Sequence, residues 1–256
     1  MNYIRSLLCI FVHLSIQLIH GSSSLIHELP NQTLIDGIKQ AIHASQIYKE
    51  NGDSLFIKSN AHYAYLAGEY DDSQLNEIIN ELAPYQKISL ICQEKYHTFF
   101  LEHGYSLQPR IEFEFTGAGK KIRRECPAGF TVVPIKTLEL FKKCLWFEFI
   151  SKLYGSSENF LNTGFGFALV DDQGNPIAEA YAALLSNQAC EIGVITHLEH
   201  RSKGFSTLVV HHMICECLKR GLQPHWSCNA ENVASRSVAH KSGFTIKRYY
   251  AFLNRN

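Results

Sequence analysis

The chain has 256 residues, with 24 Lys plus Arg and 24 Asp plus Glu, so its formal net charge is zero. This balance argues against a general nucleic-acid-binding protein, and the 46% hydrophobic and 19% charged residues argue against a disordered chain. No apolar run reaches the roughly 20 residues of a membrane-spanning helix. We therefore expect a folded, globular protein without a stable membrane span.

The first 24 residues have the layout of a secretory signal, with Arg5 before an apolar stretch at 7–19 and small residues after it. His13 and Gln17 interrupt the apolar stretch, and no Ala-x-Ala cleavage site follows. Residues 1–24 are therefore interpreted as a signal-like or disordered leader. A mistaken start codon is a competing explanation.

Eight cysteines are spread over the whole chain rather than gathered in a small disulfide scaffold. His211 and Cys215 are four residues apart on one predicted helix, but a zinc site needs further convergent ligands. We interpret them as ordinary residues of an amphipathic helix and expect no metal.

Residues 25–116 are predicted to form a smaller α/β half, followed by a linker at 117–125 that begins GAGKK. The apolar periodicity predicts helices at 33–48, 73–82 and 94–103, and strands at 54–58, 62–68, 88–93 and 111–115. No residue of this half has catalytic spacing.

Residues 126–256 are predicted to form a second, larger domain. Its elements are a strand at 130–135, a helix at 138–154, strands at 165–172, 177–186 and 190–197, a helix at 203–220, a strand at 225–229, a helix at 232–242 and a strand at 244–253. Tight turns between the three middle strands make them a meander. The whole is an α/β (α+β) layer fold.

The segment HRSKGFST at 200–207 joins a predicted strand to a predicted helix. Unpaired amides and the helix dipole make such a junction attractive to anions. Gly204 lets a phosphate approach the backbone, and Arg201 and Lys203 add positive charge. The segment is neither a Walker A motif nor a three-glycine dinucleotide fingerprint. A charged turn before a helix would look similar.

This segment resembles the Arg/Gln-x-x-Gly-x-Gly/Ala pyrophosphate loop of the GNAT superfamily of N-acetyltransferases. The resemblance continues through 203–244, where a helix, a strand and an Asn-containing helix end in Lys-x-Gly-Phe. The phrases NFLNTGFGFAL (159–169), EIGVITH (191–197) and RGLQPHWSCNAEN (220–232) are similar to the zwittermicin A resistance branch. The likeness covers about 29–256 and implies a GNAT-like mixed, largely antiparallel sheet with flanking helices.

The resemblance implies that acetyl-CoA is the co-substrate and that the acceptor is a primary amine of a small molecule, acetylated directly in a ternary complex. The loop would hold the pyrophosphate, backbone amides along the preceding strand would stabilise the oxyanion, and two residues of the last helix would contact the pantetheine arm. These cofactor-binding candidates are Val194, Ile195, Thr196, Arg201, Ser202, Lys203, Gly204, Phe205, Ser206, Thr207, Asn232 and Ser235.

The substrate ammonium must lose a proton, and Glu191 is the first candidate base because it is a carboxylate in an otherwise apolar strand. Glu179 and Glu148 are second choices, and each Glu could instead be a structural partner. Tyr249 or Tyr250 could supply an acid, because Ala239 stands where many family members carry a Tyr.

Two alternatives stay open from the sequence. One is a non-catalytic acyl-CoA-binding protein on the same fold, and the other is an exported interaction protein that has lost its cofactor. Because acetyl-CoA is a cytoplasmic metabolite, we expect a cytoplasmic enzyme. The acceptor amine and the oligomeric state are not encoded in any recognisable motif.

Overall fold

The computed structural model describes residues 29–52, 54–117 and 125–255. The predicted leader at 1–24 and most of the predicted linker at 117–125 lie outside the described residues. No helix among the described residues is long and apolar enough to cross a membrane.

The described residues form a single eleven-stranded sheet with helices packed against it. The strands are β1 Ser45–Asn51, β2 Ser54–Ser59, β3 Tyr63–Ala67, β4 Ile88–Cys92, β5 Ser106–Phe115, β6 Phe130–Pro134, β7 Gly166–Asp171, β8 Pro176–Leu185, β9 Ala189–Thr196, β10 Gln223–Asn229 and β11 Phe244–Arg255. The helices are α1 Gln32–Lys39, α2 Asp72–Leu82, α3 His97–Glu102, α4 Leu138–Lys143, α5 Phe147–Leu153, α6 Ser157–Thr163, α7 Phe205–Lys219 and α8 Val233–Lys241, with 3-10 turns at Glu94–Tyr96 and Leu198–His200.

The strand order is β1-β2-β3-β4-β11-β5-β10-β9-β8-β7-β6. Only β3 with β4 and β9 with β10 pair in parallel, so the sheet is mostly antiparallel, and the predicted mixed α/β fold class is confirmed. β8 is buried along its whole length at the centre of the second half, with α7 packed against it.

Strand β5 joins the two predicted halves of the chain. It comes before the predicted linker, yet it lies between β10 and β11, which come after it. Its ladder with β11 runs from Phe115 opposite Phe244 to Ser106 opposite Asn254. The sheet is therefore continuous through both halves, and side chains of β5 stand beside those of the second half.

Two predicted helices are wrong in part. The helix predicted at 33–48 ends at Lys39, and Ala41 has a φ of 57°, because residues from Ser45 onward pair with β2 instead. The helix predicted at 138–154 is broken into α4 and α5 at Cys144, where ψ is 144°. There the Trp146 amide donates to Glu179 Oε1 at 2.9 Å, which takes it out of the helical ladder. Tertiary pairing overrides the local helical pattern in both cases.

A buried histidine fastens the first half to the second. His43 is 4% exposed, its Nε2 accepts from the Leu185 amide at 2.7 Å, and its Nδ1 lies 3.3 Å from Leu153 O. Because Nε2 accepts, the ring carries its proton on Nδ1 and donates to Leu153. Burial lowers the pKa of His43 from 6.5 to about 4.

Stability is therefore expected to fall as the pH drops from 6.5 toward 4, because the unfolded chain takes up a proton that the folded protein resists. Between pH 7.5 and 5 the loss from this group is about 2 kcal/mol. Urea unfolding of the wild type and His43→Leu at both pH values measures it. The variant is expected to be less stable at pH 7.5 and to lose about 2 kcal/mol less on acidification. Equal acid losses in both proteins would contradict the assignment.

Candidate functional site

The strands β9 and β10 pair at one end and then separate. Their ladder covers only Ala189–Glu191 and Gln223–His225. On its other side β10 pairs with β5 from His225 to Asn229, and from Trp226 onward that is its remaining partner. An opening in the sheet therefore lies between residues 192–196 and 226–229.

Backbone amides of β9 point into this opening. The His197 amide donates to Ile177 O of the β8 side at 2.9 Å. In an antiparallel ladder the hydrogen-bonding direction alternates, so the amides of Val194 and Thr196 point away from β8 and toward the opening. The contact from Arg201 Nε to Thr196 O at 3.2 Å agrees with this alternation.

The loop after β9 places a helix N-terminus at the end of the opening. Ser202 and Gly204 have φ values of 61° and 82°, and α7 begins at Phe205 without a capping side chain. The amides of 202–207 donate to no acceptor among the described residues. A Cβ on Gly204 would have no heavy atom within 4 Å. The loop thus presents a row of free donors at the positive end of a helix dipole, which suits an anion.

The charged and hydroxyl side chains of the loop have different partners. Arg201 and Lys203 are exposed, and Arg201 is held across the loop by its bond to Thr196. Thr196 Oγ1 lies 2.8 Å from Ser206 Oγ, so the Ser206 hydroxyl ties the first turn of α7 to the end of β9.

Asn232 and Ser235 lie where β10 leads into α8. Asn232 Oδ1 accepts from the Ser235 amide at 2.9 Å and caps the helix, and Ser235 Oγ accepts from Trp226 Nε1 at 3.2 Å. Ala239, at the position of the missing Tyr, is fully buried in the core.

Glu191 lies at the last paired position of β9, beside the opening. Ser227 Oγ donates to its Oε1 at 2.8 Å. Burial raises the pKa of Glu191 to about 7, while the Ser227 bond and the Arg110 charge act the other way and Glu112 adds to the rise. A carboxyl with this pKa accepts a proton at neutral pH and can serve as a general base.

Three of the other proposed acid–base residues, Glu179, Tyr249 and Glu148, lie elsewhere. Glu179 is fully buried, and its Oε1 holds the Trp146 amide between α4 and α5. Trp146 in turn reaches β9, where a Cβ on Gly193 would lie 2.8 Å from its Cζ3. Tyr249 is 67% exposed and opposite Ile111, on the sheet face away from Glu191, and Glu148 is exposed on α5.

Arg110 and Ser227, both near Glu191, were not predicted, whereas Tyr250, predicted as a possible acid, lies beside Arg110. Arg110 of β5 donates from Nη2 to Ser227 Oγ at 3.1 Å and from Nε to Tyr250 OH at 3.4 Å. Tyr250 OH also donates to Asn31 Oδ1 at 3.3 Å. Arg110 has no motif around it, and only the insertion of β5 beside β10 brings it to the site.

The side chains of His211 and Cys215 belong to no metal site in the described part of the chain. Their Nε2 and Sγ atoms are 3.7 Å apart, and no group of three His, Cys, Asp or Glu residues there is placed to hold a metal ion.

Comparisons with known proteins agree with the architecture. The family model for GNAT acetyltransferases matches residues 23–253. No curated protein matches the chain. A GCN5-related N-acetyltransferase-like protein from Streptococcus suis superposes with a TM-score of 0.72 at 20% identity, covering 91% of this chain and 96% of that one.

Two further solved structures share the fold at lower similarity. A GCN5-related N-acetyltransferase from Kribbella flavida has a TM-score of 0.58 at 16% identity and covers 87% of this chain and 93% of its own. A GNAT-family acetyltransferase from Novosphingobium aromaticivorans has a TM-score of 0.58 at 14% identity, with 90% and 97% covered. At these identities the likeness concerns the fold.

Proposed function

The chain belongs to the GNAT acetyltransferase family, and on that premise we propose that it transfers the acetyl group of acetyl-CoA to the primary amine of a small molecule, directly and in a ternary complex. The observation that carries the proposal is the row of unbonded amides at 202–207, at the end of the opening between β9 and β10. A pyrophosphate suits those amides, and an extended pantetheine arm suits the opening.

In this proposal the side chains of Arg201 and Lys203 add positive charge to the pyrophosphate site. The backbone amides that donate to the pyrophosphate include those of Ser202, Phe205, Ser206 and Thr207. The pantetheine arm lies along Val194, Ile195 and Thr196, with Asn232 and Ser235 at the other side of the opening. The exposed Nδ2 of Asn232 is the donor that its capping role leaves for the ligand.

Glu191 accepts a proton from the substrate ammonium, and the neutral amine attacks the thioester carbonyl carbon. The Val194 amide, which points into the opening, stabilises the oxyanion. The nitrogen of the tetrahedral intermediate then loses a proton and the C–S bond breaks with its electron pair going to sulfur. The thiolate takes up one proton, so CoA leaves as the thiol and the neutral amide product remains. Tyr249 receives no role in this scheme, since its exposed ring lies on the opposite face from Glu191.

The proposal includes a cytoplasmic location, where acetyl-CoA is available, and membership of the zwittermicin A resistance branch, supported by the three phrases at 159–169, 191–197 and 220–232. A non-catalytic acyl-CoA-binding protein is the second candidate, because the buried Ala239 leaves the Tyr position of many family members without an acid.

Calorimetric titration of the full chain tests the proposal, with acetyl-CoA as ligand and ATP as the control. We expect micromolar binding of acetyl-CoA and none of ATP. A screen of primary amines by thiol release then separates the two candidates, because binding without turnover across the screen favours the non-catalytic protein. Failure of acetyl-CoA to bind the folded chain would overturn both.

A further inference from the structure

Arg110 lies on the same face of the sheet as Glu191, the face where Asn31 at the start of α1 contacts Tyr250. The space beside Arg110 and Glu191 is called the cleft below. On β5 it lies opposite Asn229 of β10 and Tyr250 of β11. Its guanidinium stacks on the Phe252 ring at 4.3 Å from the centroid. The planar group is thus held in one orientation by a ring and by the strands on both sides.

The positive charge of Arg110 has no direct counter-charge. Among the described residues it forms no ion pair within 4.0 Å, whereas the neighbouring buried Glu112 is paired with Arg248 at 2.5 Å. Its acceptors are two neutral hydroxyls, those of Ser227 and Tyr250. A guanidinium has five N–H donors, so donors beyond the two bonds to Ser227 and Tyr250 remain for a ligand. A half-buried cation in this state is an attractive partner for a carboxylate, which it can bind with two parallel hydrogen bonds.

Arg110 and Glu191 share one hydroxyl. Ser227 Oγ accepts from Arg110 at 3.1 Å and donates to Glu191 at 2.8 Å. A positive and a negative group therefore stand side by side across a single side chain. This arrangement complements a small molecule whose ammonium and carboxylate are carried on neighbouring atoms.

Aromatic rings continue the cleft from Arg110 toward β9. Tyr63 contacts Phe252 and Phe149 edge-on, with centroids 5.9 and 6.5 Å apart, and Phe149 contacts Trp146 at 5.9 Å. Tyr63, Phe149 and Trp146 are all partly exposed. The wall beside the charged pair is thus aromatic, with neighbouring rings turned by 60–71° to one another.

We propose that the acceptor is an amino acid or a close analogue, whose carboxylate binds Arg110, whose amine faces Glu191 and whose apolar side chain lies against the rings of Tyr63, Phe149 and Trp146. This inference rests on the proposed acetyl transfer, and Arg110 is its specificity-determining residue.

Matched acceptor pairs test it, each consisting of an amino acid and the amine formed by its decarboxylation: phenylalanine with phenethylamine, and leucine with isopentylamine. We expect the wild-type kcat/KM to favour the amino acid by about 100-fold, the effect of a bidentate charged contact. In Arg110→Gln the ratio of the two kcat/KM values is expected to fall to about 1, through a rise in KM for the amino acid. The ratio is the readout, because loss of the Arg110 charge also raises the pKa of Glu191 and so affects both substrates alike.

Arg110→Lys keeps the charge and loses the planar fork, so the preference for the amino acid over the amine is expected to fall by about 10-fold. Acetyl-CoA titration of each variant separates this inference from the proposed function, because the hydrogen bonds of Arg110 go to Ser227 and Tyr250 and not to the 202–207 loop. Failure to bind acetyl-CoA would reject the function itself. If acetyl-CoA binds, three results would overturn the amino-acid assignment alone. They are equal use of both members of each pair, no transfer to either member, and equal losses with both members in the variants.

Discussion

Gly204→Glu is expected to weaken acetyl-CoA binding by about 100-fold or more, because each hydrogen bond to a charged group contributes about 1.5–3 kcal/mol. The new side chain would stand where the backbone is open to the ligand and would bring a negative charge to the amides of 202–207. No heavy atom lies within 4 Å of the added Cβ, so the cost to folding is limited to the backbone. With a φ of 82°, that cost is about 1–2 kcal/mol.

Gly221→Glu is the matched control. Gly221 follows the other end of α7, also has a positive φ, 72°, and also has nothing within 4 Å of an added Cβ. The two variants therefore carry the same charge and similar backbone strain at opposite ends of one helix. Calorimetry with acetyl-CoA and urea unfolding are measured on both. We expect Gly221→Glu to lose about 1 kcal/mol more stability than Gly204→Glu, because its carboxylate stands at the negative end of the helix dipole. A loss of affinity is expected in Gly204→Glu alone. Unchanged affinity in that variant would show that the loop does not bind the pyrophosphate.

The loop and its flanking elements could be located from the sequence because they are contiguous. The predicted strand at 190–197 and helix at 203–220 are confirmed as β9 and α7, with bounds shifted by one or two residues. An alternating apolar strand, a glycine and an amphipathic helix follow one another along the chain, so local patterns suffice. The strands of the meander were predictable for the same reason.

The break between α4 and α5 could not be predicted, because its cause is distant in sequence. The apolar spacing of 138–154 is helical throughout, yet Glu179 takes the Trp146 amide from the helical ladder. The same carboxylate, predicted as a second-choice base, is used for this structural contact. A buried acid in an apolar strand can therefore be a structural hydrogen-bond acceptor or a general base. Only the three-dimensional neighbours of Glu179 and Glu191 distinguish the two roles.

The sequence also did not predict that residues of both halves of the chain form the candidate site. Arg110 lies in the half where no catalytic spacing was found, and its partner Ser227 is 117 residues away. Nothing in the local pattern of β5 indicates that it pairs between β10 and β11. Strand order across a large sheet depends on long-range contacts, and a single sequence does not reveal them.

Glu191→Gln is expected to lower kcat/KM by about 10²- to 10⁴-fold, the usual contribution of a general base. In the wild type, kcat/KM is expected to rise with pH and to level off above an inflection near pH 7, where the pKa of Glu191 is about 7. The variant is expected to lose that inflection. Glu114→Gln is the control, because Glu114 is an exposed carboxylate on the same face of the sheet, opposite His225.

The stability of the same variants separates a catalytic from a structural Glu191. Its folded pKa is raised from 4.5, so the folded protein resists losing this proton and stability declines as the pH rises from 4.5 to about 7. Glutamine removes that decline, and after allowance for partial exposure the variant gains about 2 kcal/mol relative to the wild type at pH 8. A slow enzyme that is at least as stable as the wild type at pH 8 is the signature of a base held at a cost to folding. A variant that is both slow and destabilised at pH 8, with the inflection near pH 7 retained, would make Glu191 a structural partner of Ser227 and would move the base elsewhere in the cleft.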